Sequence, residues 1–144
     1  MTSSPALQAN SARQAPLPGP ITLLLRLEGL AVGAVSALLY ARTGANWWLF
    51  AALWLAPDLS ILGYLAGPCR GSRVYNAAHT YTLPITLAVC ALFLRANSLL
   101  PFALIWVNHI AVDRLMGYGL KFSNGFDWTH LGMRKRRFAA TTAA

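Results

Sequence analysis

His109 and Asp113 stand four residues apart in the stretch Trp106–Gly119, WVNHIAVDRLMGYG, which is otherwise apolar enough for lipid. On a helix that spacing puts both side chains on one face, one turn apart. An imidazole and a carboxylate inside a membrane helix are expensive to place, so they need a partner or a function. The chain has only four acids, Glu28, Asp58, Asp113 and Asp127. Three of them lie within or at the edge of apolar runs, where keeping the protein soluble is not their role.

Depth turns these isolated residues into a candidate site. Glu28 lies near the start of a first apolar span, Ile21–Tyr40, and Asp58 near the end of a second, Trp47–Leu65. His79 lies near the start of a third, Tyr75–Leu94, and His109 and Asp113 near the end of a fourth, Leu99–Met116. At a rise of about 1.5 Å per residue, all five fall within about 5–11 Å of one membrane boundary. Random placement would scatter them over both leaflets. One polar pocket is therefore expected, with Asp58, His79, His109 and Asp113 as metal ligands and Glu28 as general base.

Mixed oxygen and imidazole donors suit one divalent Zn, Mn or Fe ion and argue against copper held by Cys or Met. Such an ion would offset the carboxylate charge and lower the pKa of a bound water toward about 7. Tyr75, Asn76 and Thr82 are expected to orient the ligands. Asp127 and His130, in the segment after the last span, could fold back over the pocket, or the Trp-Thr-His run there could anchor at the interface. Plainer roles stand beside these: Glu28 paired with Arg26 or Arg114, Asp58 capping a helix after Pro57, and His79 hydrogen-bonded within the bundle.

Stepping outward from the pocket, the expected architecture is all-α, an integral membrane bundle of four transmembrane helices. Each span approaches the about 20 residues that cross some 30 Å of hydrocarbon. Gly29, Gly33 and Ala37 give the first span a small-residue face for close packing. Trp47-Trp48 open the second as an interfacial belt, Pro84 is expected to kink the third, and Gly117 and Gly119 stop the fourth. Residues 1–20, with four prolines and no acid, read as a disordered tail, residues 21–119 as the transmembrane domain, and 120–144 as a basic tail. No basic n-region followed by a cleavable apolar run marks a secretory signal.

Basic residues fix the expected orientation. Arg13, Arg70, Arg73, Lys121 and Arg134–Arg137 fall on the side of the termini, against Arg42 and Arg95 on the other. Both termini are thus expected in the cytoplasm of a multi-pass protein of the bacterial inner (plasma) membrane. The net charge of +8 does not imply nucleic acid, because its densest run is four residues with no stacking platform around it. The expected partners are the bilayer and its anionic headgroups, with a second copy of the chain or another membrane subunit left open. Cys69 and Cys90 are too far apart in depth to form a disulfide.

The segments LAPDLSILGYL, YNAAHTYTLP and HIAVDRLMGYGLKFSNGFDWTHLG resemble a bacterial membrane-protein family, number 4260 of the domain-of-unknown-function series. The likeness runs from about Leu25 to Gly132 and implies a topology more than an activity. A fainter similarity, in the order Pro-Asp, His-Thr and His-x3-Asp, is to inner-membrane metal-dependent hydrolases regulated with the DNA-damage response. It implies Asp58, His79, His109 and Asp113 as ligands. Here Leu-Ser follows Asp58 where that pattern has a second Asp, and no His-Arg pair precedes Thr80.

Three functions follow as expectations. The first is a metal-dependent hydrolase of an amphiphilic ester or phosphoester, and the second a haem protein with His79 and His109 as axial ligands. The third is a non-catalytic bundle: a small transport, proton-relay or assembly subunit.

Overall fold

The computed structural model describes residues 19–121 and the backbone of 128–129 and 132–133. The chain is helical. Helix α1 (Gly19–Thr43) is followed by α2 (Trp47–Leu53), a 3₁₀ helix (Ala56–Ala66), α3 (Pro68–Ala78), α4 (Thr82–Phe93), a 3₁₀ turn (Asn97–Leu99) and α5 (Leu100–Met116). Strands β1 (Trp128–Thr129) and β2 (Gly132–Met133) form a two-residue antiparallel ladder. The expected disordered segment lies outside the described residues, apart from Gly19 and Pro20, which begin α1.

Among the described residues, three segments are long and apolar enough to cross a membrane: 19–43, 47–66 and 97–116. Their outer faces are unusually greasy. Leu23, Leu24, Val35 and Leu38 on α1, and Leu59, Leu62 and Leu65 on the 3₁₀ helix, are all more than half exposed. Apolar surface of that extent marks contact with something other than water.

The helix pair α1–α5 is the spine of the fold. On α1 the buried residues are Gly29, Gly33, Ser36 and Tyr40, a stripe at helical spacing turned toward α5. Gly29 is where the backbones approach. A β-carbon there would lie 2.8 Å from both the Ala111 carbonyl oxygen and the Leu115 nitrogen. The small-residue face was expected, but its third member is Ser36 rather than Ala37. At the far end, Tyr40, Leu104 and Ile105 make an apolar cluster covered by Leu49, Phe50 and Leu53. The Tyr40 hydroxyl donates to the Asn46 carbonyl at 2.7 Å, closing the turn into α2.

Two expected spans are built differently. In the second, α-helix ends at Leu53 and Ala56–Ala66 continues as 3₁₀ helix. Pro57 removes a backbone donor there, consistent with the change of winding. With three residues per turn, Leu59, Leu62 and Leu65 line up on one outer edge. The inner side packs on α3, Gly63 against Val74 and Gly71 against the Tyr64 ring. Gly67, at φ +99°, makes the turn between them.

The third span, expected as one helix over Tyr75–Leu94, is instead two, with α3 ending at Ala78 and α4 starting at Thr82. Pro84 does not kink a helix interior. It sits in the first turn of α4, where its missing N–H has no intrahelical role. His79 occupies the break. Alone, the 12 residues of α4 reach only about 18 Å.

Candidate metal centre

Four side chains from three elements converge between the 3₁₀ helix, the α3–α4 break and α5. Asp58 comes from the first turn of the 3₁₀ helix, His79 from the break, and His109 and Asp113 from successive turns of α5. One ligand atom from each lies within 4.8 Å of every other. The Nε2 atoms of the two histidines are 3.3 Å apart. His79 Nε2 lies 3.4 Å from Asp58 Oδ1 and 3.6 Å from Asp113 Oδ2. His109 Nε2 lies 3.7 and 3.9 Å from the same two oxygens.

These lengths discriminate between protons and a metal. A charge-assisted N–H···O bond closes to about 2.7–2.9 Å. Metal bonds of about 2.0–2.2 Å place the corners of a regular tetrahedron about 3.3–3.6 Å apart. Of the five distances, 3.3, 3.4 and 3.6 Å fall in the tetrahedral range and 3.7 and 3.9 Å lie just beyond it, and all are longer than a charge-assisted hydrogen bond.

The tautomer of His79 points the same way. Its Nδ1 lies 2.9 Å from the Tyr75 carbonyl oxygen, which can only accept, so Nδ1 carries the proton. In the neutral ring Nε2 then presents a lone pair, aimed at two carboxylates and another imidazole nitrogen. Acceptors facing one another in a poorly hydrated site repel. A proton on His109 Nε2, 3.3 Å away, would relieve the repulsion at His79 alone, whereas a cation among the four atoms would relieve it for both imidazoles and both carboxylates. Two carboxylates and two neutral imidazoles sum to a charge of −2, which one divalent ion brings to zero. The donor set therefore fits such an ion.

The surroundings hold the ligands in place. The Tyr75 ring stacks on His79 at 3.8 Å and 11°. The Trp54 ring meets His109 edge-on at 5.1 Å. His109 Nδ1 is buried with no well-formed hydrogen bond, the Trp54 main chain being the group that faces it. Arg114 donates to the carbonyls of His79 and Tyr118 at 2.9 and 2.8 Å, pinning the break to α5. Trp106 Nε1 donates to the Ala78 carbonyl at 2.7 Å.

Asn108, beside His109, was not singled out from the sequence and ties three elements together. It accepts from Trp54 Nε1 at 3.0 Å and donates to the Gly33 carbonyl and Ser36 Oγ at 2.9 and 3.1 Å. The rule that marked His109, a polar side chain within an apolar span, marks Asn108 equally. Asn108→Leu leaves the Trp54 N–H without its acceptor and cuts the tie to Gly33 and Ser36, which keep their bond to each other, and is expected to destabilise the bundle by about 1–2 kcal/mol. A lower unfolding temperature in detergent checks this; an unchanged one removes Asn108 from the scaffold.

The other expected site residues fall elsewhere. Glu28 is exposed on α1 and does not join the group, and among the described residues it forms no ion pair with Arg26 or Arg114. Asn76 binds the main chain of Lys121 through both ends of its amide, at 2.8 and 2.7 Å, rather than a ligand. Thr82 is exposed, its hydroxyl 3.3 Å from that of Thr80. Tyr75 does orient His79, but through its ring face and carbonyl. Asp127 and His130 lie outside the described residues. Cys69 and Cys90 are free and exposed.

Haem does not fit between His79 and His109. Axial nitrogens on one iron stand about 4 Å apart across the porphyrin plane, twice a bond of about 2.0 Å. Here they are 3.3 Å apart, with Asp58 and Asp113 where the ring would lie.

The imidazoles form the floor of the centre and the carboxylates its rim. The side chains of His79 and His109 are 0% and 1% exposed, against 38% for Asp58 and 16% for Asp113. Water or a substrate would reach an ion from the carboxylate side.

A family model described as a domain of unknown function, DUF4260, matches residues 22–133. Comparison with curated proteins and with solved structures returned no match.

Proposed function

The chain is a member of the DUF4260 family, and we propose that it is a membrane-embedded hydrolase using one divalent Zn, Mn or Fe ion held by Asp58, His79, His109 and Asp113. Its substrate would be an ester or phosphoester of an amphiphilic molecule. The observation that carries this reading is the set of four potential ligand atoms within 4.8 Å of one another, with the His79 lone pair locked inward by the Tyr75 carbonyl. With all four protein atoms bound, a water would have to join an ion there as a fifth ligand from the carboxylate rim, where it would become acidic enough to be hydroxide near neutral pH. The second oxygen of Asp58, the more exposed carboxylate, would take a proton from that water, the role first expected of Glu28.

The apolar outer faces support an integral membrane placement. For topology we propose that the broken α3–α4 limb returns the chain, leaving both termini in the cytoplasm of a bacterial inner membrane. The exposed Arg70 and Arg73 on α3 would then meet anionic headgroups on that side.

Elemental analysis of the detergent-solubilised protein tests the centre. About one equivalent of transition metal per chain is expected, taken up again after chelation and dialysis against Zn²⁺ or Mn²⁺. Binding should weaken in acid, where protons compete for the imidazoles and carboxylates. Protein that holds no transition metal and gains none on dialysis would sink the proposal and favour the proton-relay bundle.

A further inference from the structure

A cavity of about 390 Å³ is lined by Leu53, Ala56, Pro57, Ser60, Ala78, Phe102, Ile105 and Trp106, residues that flank the ligands in sequence, while none of the four ligands lines it. Its position is set by the ligands' own neighbours. Pro57 precedes Asp58, Ala78 precedes His79, and Ile105 lies one helical turn before His109. The walls are almost wholly apolar. Ala56 and Phe102 are themselves exposed, so the cavity reaches the outer surface between two of the three segments long enough to cross a membrane. Within it, Ser60 Oγ is buried without a hydrogen-bond partner.

We propose that this cavity receives the hydrocarbon chain of a single-chain amphiphile entering from the bilayer, with its oxygen-bearing head at the carboxylate rim of the metal centre. This rests on the metal-centre reading above and adds the substrate class to it. Small-ligand sites are apolar hollows with a few placed polar groups, which describes this one. At about 30 Å³ for each water-sized group, its volume admits a segment of roughly a dozen such groups. That suits one alkyl or acyl chain. The mouth opens on a surface that lipid tails would cover, so the chain need not cross water to enter. The Ser60 hydroxyl supplies one donor to an ether or ester oxygen at the head of the chain.

The test uses the full-length protein in nanodiscs, loaded with Zn²⁺, with a dodecyl phosphate carrying a diazirine near the chain end. After illumination, mass spectrometry locates the adducts. Adducts on Leu53–Ser60 and Phe102–Trp106 are expected beside the general lipid contacts on α1, such as Leu38. Ser60→Phe, which fills the cavity, and Ala56→Trp, which blocks its exposed mouth, should each lose the cavity adducts. Both should keep the α1 adducts and the bound zinc, which also certifies folding. Cavity adducts that survive in a zinc-loaded variant overturn the proposal, as does zinc-loaded wild type labelled on its lipid-facing surface alone. Wild type that labels in the cavity but binds no zinc would uphold the chain pocket and remove the metal centre.

Discussion

His79→Ala protein is expected to come through metal loading empty, while wild type holds one ion. Of the four ligands, His79 is held most completely: its side chain is fully buried, stacked on Tyr75, tied at Nδ1 to a carbonyl and close to both carboxylates. Removing it deletes a donor from the floor and leaves an ion only three protein ligands. Loss of an outer hydrogen-bonding partner typically lowers metal affinity about 10–100-fold, and loss of a direct ligand should exceed that. Tyr75→Phe is the matched control, because carbonyl and ring face survive and only the hydroxyl is lost. It should retain the ion. The measurement is zinc stoichiometry after equilibrium dialysis, read beside the unfolding temperature with and without metal. If His79→Ala binds zinc as wild type does, the ion does not sit among these four residues.

Gly29→Leu is expected to damage the fold more than any other single change in α1. The obstacles to a side chain at Gly29 are main-chain atoms of α5, the Ala111 oxygen and Leu115 nitrogen, each 2.8 Å from a β-carbon. Backbone cannot rotate aside as a side chain can, so the helices must separate. Overpacking ordinarily costs about 1–3 kcal/mol. Here the cost should lie at or above the top of that range, because separation also pulls Gly33 and Ser36 from Asn108, the neighbour of His109. Gly33→Ala makes the contrast on the same face: its β-carbon would meet only the Ala111 β-carbon at 3.6 Å, an ordinary contact. Thermal unfolding in detergent should rank Gly33→Ala near wild type and Gly29→Leu far below it. Equal stability of the two variants would disprove the close crossing.

The sequence carried the His/Asp cluster more clearly than the helices that build it. His109 and Asp113 announce themselves by a spacing that only an α-helix turns into one face. Asp58 and His79 followed from depth, since rise per residue converts sequence position into height along a span. Height says nothing about azimuth, and Glu28 shows the difference. It shares the expected level but stands about 100° around α1 from Gly29, the residue that touches α5. The inward direction of Gly29 and Gly33 was legible, and it already turned Glu28 away.

The broken third span was hidden for another reason. Apolar composition runs across the break at His79, and hydropathy registers composition rather than continuity of hydrogen bonding. Pro84 was the available signal. A proline two residues into a Thr-Leu-Pro run suits a helix start better than a helix middle. The 3₁₀ winding after Pro57 left no comparable mark, because the spacing of its leucines serves an α-helix nearly as well.

That winding has a mechanical meaning. Eleven residues of 3₁₀ helix extend about 22 Å, whereas the same residues in α-helix would extend about 16 Å. Asp58 rides on the first turn of the 3₁₀ segment and Tyr64 on its last, against Gly71. The extra reach, roughly one α-helical turn, lets one short segment span from the four-residue cluster to the packing against α3 while keeping Leu59, Leu62 and Leu65 along a single lipid-facing edge.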